Sequence, residues 1–298
     1  MKISVIIVTY NTKLITKNCI DSVFQQTQNL DFEVILVDNN STDGSKELFE
    51  SYPKLKYIYL NENIGFGQAN NKGAKIAEGE FLFLLNSDTI LIENSILKFY
   101  DFFTNNEKVL KIGVLGCVLV GQDLEVNGFG GQFPTCEQEK LKLWNVLPII
   151  SNFVSTPKLK NYAFENDYFE IDYVIGADMF LRKQLFDKMN GFHEAFFMYF
   201  EETDLQKRIF DSGLKQYILT STKIIHLEEA SGKSIQNYSN RKKIITNKSK
   251  LNYLKRNDSV NFKKYIYTDF FFVLLNFLNF KYSFKENLTY LKEIKKIY

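Results

Sequence analysis

Little in this sequence restrains it covalently or anchors it. Cysteine is scarce: Cys19, Cys117 and Cys136 are odd in number and widely spaced, which excludes a disulfide framework and fits a reducing compartment, leaving them as packing residues. No leader pattern opens the sequence, because Met1-Lys2-Ile3-Ser4-Val5 runs directly into a strand pattern without a basic segment, an apolar stretch and a small-residue cleavage site. The chain is therefore expected in the cytoplasm. The aromatic stretch from Tyr265 to Phe280 is too short to span a bilayer and is broken by Asp269, Asn276 and Asn279. Repeats and low-complexity tracts are absent, and only two histidines occur, His193 and His226.

What is present suits a globular protein. The 298 residues are 45% hydrophobic and 24% charged, with 28 Phe and 17 Tyr, enough to bury a core in one large α/β domain with an appendage or in two small domains. The net charge of +2 hides an asymmetry. Beyond Ser234 there are 14 Lys/Arg against 4 Asp/Glu, whereas the preceding residues carry 23 basic and 31 acidic side chains. The basic end faces a different partner from the rest. Nucleic acid is a poor candidate for it, because the bulk of the chain is acidic and no recognition motif is present.

The first 90 or so residues alternate apolar runs with amphipathic segments, the mark of βα units and a mostly parallel sheet. Strands are expected at Ile3–Thr9, Phe32–Val37, Lys56–Leu60, Phe81–Leu85 and Val114–Val120. Ile15, Cys19, Ile20, Val23 and Phe24 fall at helical spacing within a helix from Thr12 to Gln26. From Gly128 to Pro157 the pattern is weak, interrupted by Gly130, Gly131, Pro134 and Pro148, and reads as loop or insertion. Regularity returns at Tyr168 and continues with a strand at Met179–Arg182, a helix from Glu201 to Asp211 ended by Gly213, and strands around Tyr217 and Ile224. The expected organisation is a domain over residues 1–234, with halves 1–120 and 121–234, and a helical C-terminal region over 235–298.

Open α/β sheets bind ligands beyond the carboxyl ends of their strands, and polar residues cluster there. The first strand ends in Thr9-Tyr10-Asn11, the second in Asp38-Asn39-Asn40-Ser41-Thr42-Asp43-Gly44, the fourth in Asn86-Ser87-Asp88. Each alone reads equally as turn or helix-cap chemistry. Together they supply what a nucleotide diphosphate needs. Asp38 can accept from the imide of uracil or thymine and from ribose hydroxyls, while Asp88 brings a carboxylate to the edge of a dry sheet, where it suits a hard divalent ion such as Mg²⁺ or Mn²⁺. The alternative for Asp88 is a helix cap.

Four motifs in order, Val5-Ile6-Ile7-Val8-Thr9-Tyr10-Asn11, Val37 to Gly44, Asn61 to Asn71 and Asn86-Ser87-Asp88-Thr89, resemble the family-2 glycosyltransferases of GT-A fold, nearest the rhamnosyltransferase-like branch. The resemblance runs from Ile3 to Ser231. It implies an α/β fold with a mostly parallel Rossmann-like sheet flanked by helices and a helical appendage. It further implies a metal-dependent inverting transfer from a nucleotide-diphosphate sugar. Donor contacts then fall to Thr9, Tyr10, Asn11, Asp38, Asn40, Asn63, Gly65, Asn70, Ser87, Asp88, Ala177 and Asp178. The family's Asp-x-Asp site has Asn86 at its first position here, so metal binding leans on Asp88, and His226 matches a histidine that completes the metal shell or touches the diphosphate. In Phe197 to Arg208 the match assigns the general base to Glu202, with Glu201 as the alternative. Asp204 and Arg208 read as a helix-surface ion pair, His193 as structural. Asp178 either binds a sugar hydroxyl or pairs with a basic neighbour.

The donor implied is a dTDP- or UDP-sugar, with dTDP-rhamnose first and a UDP-hexose or UDP-N-acetylhexosamine as alternatives. The acceptor implied is a glycan or polyprenyl-linked glycan in cell-surface polysaccharide synthesis. A sugar-1-phosphate nucleotidyltransferase would carry a basic glycine-rich loop after the first strand, and a dinucleotide enzyme a glycine fingerprint there; this chain has Tyr10-Asn11-Thr12 instead. A non-catalytic, membrane-associated nucleotide-sugar-binding partner is the remaining rival. Arg241, Lys242, Lys243, Lys248, Lys250, Lys255 and Arg256 precede the aromatic stretch. That combination suits either peripheral contact with the anionic inner face of the cell membrane or a helical subdomain packed on the catalytic domain or a second subunit, as in a homodimer.

Overall fold

The computed structural model describes residues 2–145, 164–227, 239–275, 277 and 282–298. Pro148, Pro157, Ser231, Ser234, Asn276, Asn279 and Phe280 lie outside the described residues. The chain divides into two compact units, one of Met1–Gln132, Tyr162–Phe197 and Glu201–Gln236, the other of Phe133–Asn161, Met198–Phe200 and Asn237–Tyr298. The sequence reading places one boundary after residue 234; this division adds 133–161 and 198–200 to the C-terminal unit.

The first unit is built on one large sheet. Its strands are β1 (Ile3–Thr9), β2 (Phe32–Asp38), β3 (Leu55–Tyr59), β4 (Phe81–Asn86), β5 (Thr89–Leu91), β6 (Ile112–Val120), β7 (Val126–Gly128), β9 (Tyr168–Ile171), β11 (Asp178–Arg182) and β12 (Lys215–His226), while β8 (Gly130–Gly131) and β10 (Tyr173–Val174) pair separately. The path runs β3-β2-β1-β4-β11-β6-β12-β5. β3, β2, β1 and β4 are parallel, as are β6 and β12, and β11 enters antiparallel to both β4 and β6.

Uninterrupted apolar runs make these central strands, because a sheet covered on both faces needs them, and β1 is buried at every residue. Strand alternation sends Ile3, Val5, Ile7, Phe81, Phe83 and Leu85 to one core and Ile6, Val8, Leu82 and Leu84 to the other. Helix α1 (Lys13–Gln26) covers the first face with Cys19, Ile20 and Val23, and α4 (Ser95–Leu110) adds Ile96, Phe99 and Phe103. α3 (Phe66–Ile76) covers the second with Ala69 and Ala74; the short α2 (Ser45–Phe49) follows β2. Phe180 of β11 is the hub of the first core, stacked on Phe81 at 5.1 Å and on Phe99 at 5.6 Å.

Two local expectations need correcting. Residues 215–226 form one strand, not two, because a register shift between Leu219 and Lys223 absorbs the polar Thr220-Ser221-Thr222 run. The segment read as loop contains a helix, α5 (Cys136–Trp144). Its start is fixed by a capping box in which Thr135 and Gln138 bond each other's backbone N–H, a signal that the flanking glycines and prolines obscured. The remaining helices of the first unit are α6 (Lys183–Lys188) and α7 (Glu201–Asp211). The second unit holds α5 with α8 (Ser239–Asn257), α9 (Ser259–Leu275) and α10 (Phe284–Lys295).

Candidate functional site

Parallel register brings the polar strand ends together. Thr9 lies opposite Asp38, and Val8 opposite Asn86, so the turns after β1, β2 and β4 leave the sheet side by side. Asn11 and Asn40 take left-handed backbone with φ of 56° and 71°, a conformation asparagine tolerates better than most residues. The Asn11 N–H donates to Ser41 Oγ at 2.9 Å, and Asn11 Oδ1 accepts from Thr42 N–H at 2.7 Å, locking the first turn to the second.

Asp38 is fully buried. One oxygen accepts from the Ser41 N–H at 2.7 Å and the other from the Tyr57 hydroxyl at 2.8 Å. Burial and the Asp38 carboxylate push the Tyr57 phenol well above its usual range, so Tyr57 stays a donor. Tyr59 donates in the same way to Asn40 Oδ1 at 2.9 Å.

A closed circuit of contacts continues from there. Asn39 donates to Asn63 Oδ1 at 2.9 Å and accepts from Ile64 N–H at 3.0 Å. Asn63 Oδ1 also takes the Gly65 N–H at 3.0 Å. Gly65 has φ of 87°, and a Cβ there would sit 2.2 Å from the Phe197 carbonyl oxygen, so only glycine lets the two backbones meet; the Phe66 N–H donates to that oxygen at 2.9 Å. Phe197 leads to Tyr199 and Phe200, both left-handed with φ of 71° and 67°, and then to the start of α7.

At that helix start Glu201 is buried, its Cγ 3.3 Å from where a Gly67 Cβ would stand, and the Glu202 side chain lies against Gly176. Thr203 donates to Glu202 Oε1 at 3.2 Å. The neighbouring Ala177 carbonyl accepts from Asn86 N–H at 2.9 Å, returning the circuit to the β4 turn. There Ser87 Oγ is 3.5 Å from Thr12 Oγ1. Asp88 Oδ1 lies 3.3 Å from His226 Nε2, with both residues buried, because β12 pairs with β5 so that His226 stands opposite Thr89. The Asn127 amide holds the His226 carbonyl at 2.8 Å.

Asp38, Asp88, His226, Glu201 and Glu202 therefore lie on one connected ring. Other expected residues sit differently. The Thr9 hydroxyl turns inward to Thr12 and Thr16, at 3.0 and 2.8 Å, whereas Tyr10 is half exposed. Asn70 is buried and donates to the Phe66 carbonyl within its own helix, and Ala177 is buried. Asp178 has no exposed surface: one oxygen accepts from the Cys117 N–H at 2.6 Å, the other has no hydrogen-bond partner among the described residues, and its basic neighbour is His226. Burial raises its pKa to about 7. The Asp204–Arg208 pair forms at 3.0 Å, but it is no surface pair, since Asp204 is buried and the guanidinium also holds the carbonyls of Met189 and Gly191.

Sequence reasoning missed Tyr57, Tyr59 and Gln206. The β3 alternation Tyr57-Ile58-Tyr59, in register with β2, could have found the tyrosines. Nothing local marks Gln206, whose amide pairs with both backbone groups of Val174 at 2.7 Å and ties α7 to β10.

Asp88 and His226 offer one hard oxygen and one imidazole nitrogen at the same buried edge. Such a donor pair fits Mn²⁺, and less selectively Mg²⁺, when ligand oxygens complete the shell. Among the described residues no group of three or more His, Cys, Asp or Glu could hold a metal ion.

Comparison with known proteins gives a consistent result. The model of the family described as "Glycosyl transferase family 2" matches residues 4–188. The chain is 28% identical over 244 residues, 77% of its length, to the O-antigen biosynthesis protein RfbC of Myxococcus xanthus, and 34% identical over 122 residues, 39% of its length, to the poly(ribitol-phosphate) beta-glucosyltransferase of Bacillus spizizenii. It spans only 18% and 19% of those two relatives. Among solved structures it resembles S. aureus TarS, with a TM-score of 0.54 and 20% identity over 76% of this chain and 37% of that one. It also resembles GalNAc-T7 solved with UDP, GalNAc and Mn²⁺, with a TM-score of 0.56 and 16% identity over 76% and 43%. At these identities the structural likeness carries the fold alone, and it is the GT-A fold that the motifs resemble.

Proposed function

Because this chain belongs to glycosyl transferase family 2, we propose that it moves a sugar from a nucleotide diphosphate onto an acceptor hydroxyl with inversion, and that the ring of strand-end residues is where it does so. The observation that carries this reading is the Asp88–His226 pair at 3.3 Å, joined through Ala177 and Gly176 to Glu202 at the start of α7. In this reading the Asp88–His226 edge takes the cation and Glu202 is the carboxylate that serves the acceptor.

In this reading the turns after β1 and β2 take the nucleoside. Asn11, Asn40 and the backbone around Gly65 frame it, and Asp38 receives it with a carboxylate already oriented by Tyr57 and Ser41. Asp88 and His226 would hold a divalent ion, Mg²⁺ or Mn²⁺, whose charge offsets that of the departing diphosphate. Glu202 accepts the acceptor proton, aided by its place in the first turn of a helix, where the dipole favours the ionised form. Glu201, buried against Gly67, is the alternative base.

The donor proposed is a dTDP- or UDP-sugar, dTDP-rhamnose before a UDP-hexose or UDP-N-acetylhexosamine. The acceptor proposed is a glycan, free or polyprenyl-linked, in cell-surface polysaccharide synthesis, the setting named by the O-antigen and poly(ribitol-phosphate) relatives. Incubating the chain with a panel of nucleotide sugars, with and without chelator, tests the class: metal-dependent release of nucleoside diphosphate from one donor is expected. Asp88→Ala should abolish metal-dependent donor binding measured by calorimetry, and unchanged binding would refute its role.

A further inference from the structure

The C-terminal unit contains a helix that is apolar on two opposite faces. One face of α9, with Phe262, Tyr265, Phe272 and Val273, is buried, and Trp144 of α5 meets Phe272 edge-on at 5.2 Å. Trp144 also stacks on Phe271 at 6.1 Å, leaving that ring 45% exposed at the margin of the packed face. Yet Val260, Lys263, Lys264, Tyr267, Phe271 and Leu274, which recur three or four residues apart, form a second stripe that is exposed. Val260 is 83% and Tyr267 78% exposed, and a contiguous apolar strip of this kind marks a surface built for contact.

Its charge is one-sided. The helix has one carboxylate, Asp269, and that group is buried, accepting from the Tyr265 hydroxyl at 3.1 Å and the Tyr298 hydroxyl at 2.6 Å. The exposed stripe thus bears two cations and no anion, and Lys255 and Arg256 stand exposed at the end of the preceding helix. No described helix is long and apolar enough to cross a membrane.

We propose that this face of α9 lies on an anionic lipid surface, with Tyr267, Phe271 and Leu274 entering the headgroup boundary and Lys263 and Lys264 over lipid phosphates. A second copy of the chain is the poorer occupant. Two such faces joined symmetrically would gather four lysines and no carboxylate in one contact. The proposal goes beyond sugar transfer and does not depend on it.

Co-sedimentation of the full chain with vesicles tests it. Pelleting is expected with phosphatidylcholine–phosphatidylglycerol vesicles and not with phosphatidylcholine alone. Lys263→Gln with Lys264→Gln should weaken binding about 30-fold, at about 1 kcal/mol for each lysine near an anionic leaflet. Tyr267→Ser with Leu274→Ser should also weaken it while circular dichroism and melting stay unchanged. Absence of pelleting with either vesicle, or equal binding by the variants, overturns the proposal. So does a dimer in sedimentation velocity that Tyr267→Ser abolishes while vesicles bind nothing. Nucleotide binding, measured in parallel on each variant, keeps this outcome separate from that of the donor site.

Discussion

Both units bury aromatic side chains, but the second also leaves a run of them exposed along one helix. In the first, Phe81, Phe83, Phe99, Phe103 and Phe180 close on one another beneath the sheet with no exposed surface. In the second, Tyr267, Phe271 and Phe284 stand 78%, 45% and 72% exposed. Polar groups are buried and hydrogen-bonded in both, Asp38, Asn39 and Gln206 in the first unit and Asp269 in the second, while the stripe on α9 carries exposed lysines beside its aromatics. The first unit closes its aromatics into a core; the second leaves part of its set on an exposed helix face.

That contrast can be broken most sharply at the acidic helix start. Glu202→Gln should lower transfer by about 10²–10⁴-fold, the usual contribution of a general base, while donor binding by calorimetry is retained; a variant as active as the parent moves the base to Glu201. Next in size is the frame itself. Phe180→Ala should reduce unfolding stability by about 3–5 kcal/mol in denaturant titration, because it removes the ring on which Phe81 and Phe99 stack.

Asp178 sharpens the comparison by pH. Burial raises its folded pKa to about 7, above the 3.8 of a free aspartate, so the folded state binds the extra proton between those values. Its contribution therefore destabilises progressively as pH rises through that window and levels off above pH 7, at a cost on the order of 4 kcal/mol. Asp178→Asn keeps an acceptor for the Cys117 N–H, and its stability relative to the parent should rise between pH 4 and about pH 8. A difference independent of pH would show that the carboxyl is not strained by burial. Smallest of all, Tyr267→Ser should change stability by no more than about 0.5 kcal/mol, since its side chain supports nothing within the fold. A larger loss would mean that the α9 stripe is structural.

Much of the fold was legible because its strands are long apolar runs at the sheet centre. Ile3–Thr9 and Phe81–Asn86 could be little else once length and flanking turns were considered. α5 escaped because nine residues with a weak apolar face sit among glycines and prolines, and β12 was divided in two because a bulge looks like a turn when only local polarity is read. The strand ends at Asp38 and Asp88 and the helix start at Glu202 were legible from their motifs, whereas the inward turn of Thr9 and the full burial of Asp178 were not. Both follow from what packs against the strand, which no local pattern encodes.

The sequence alone determined the order of the βα units, the polar strand ends and the charge contrast between the halves, since these depend on residue type and spacing along the chain. Only the tertiary structure decided that His226, 138 positions from Asp88 in the sequence, stands 3.3 Å from it, or that one of α9's two apolar faces is left outside. Strand pairing and helix packing join residues across long loops, and the closing of those loops depends on the whole core at once.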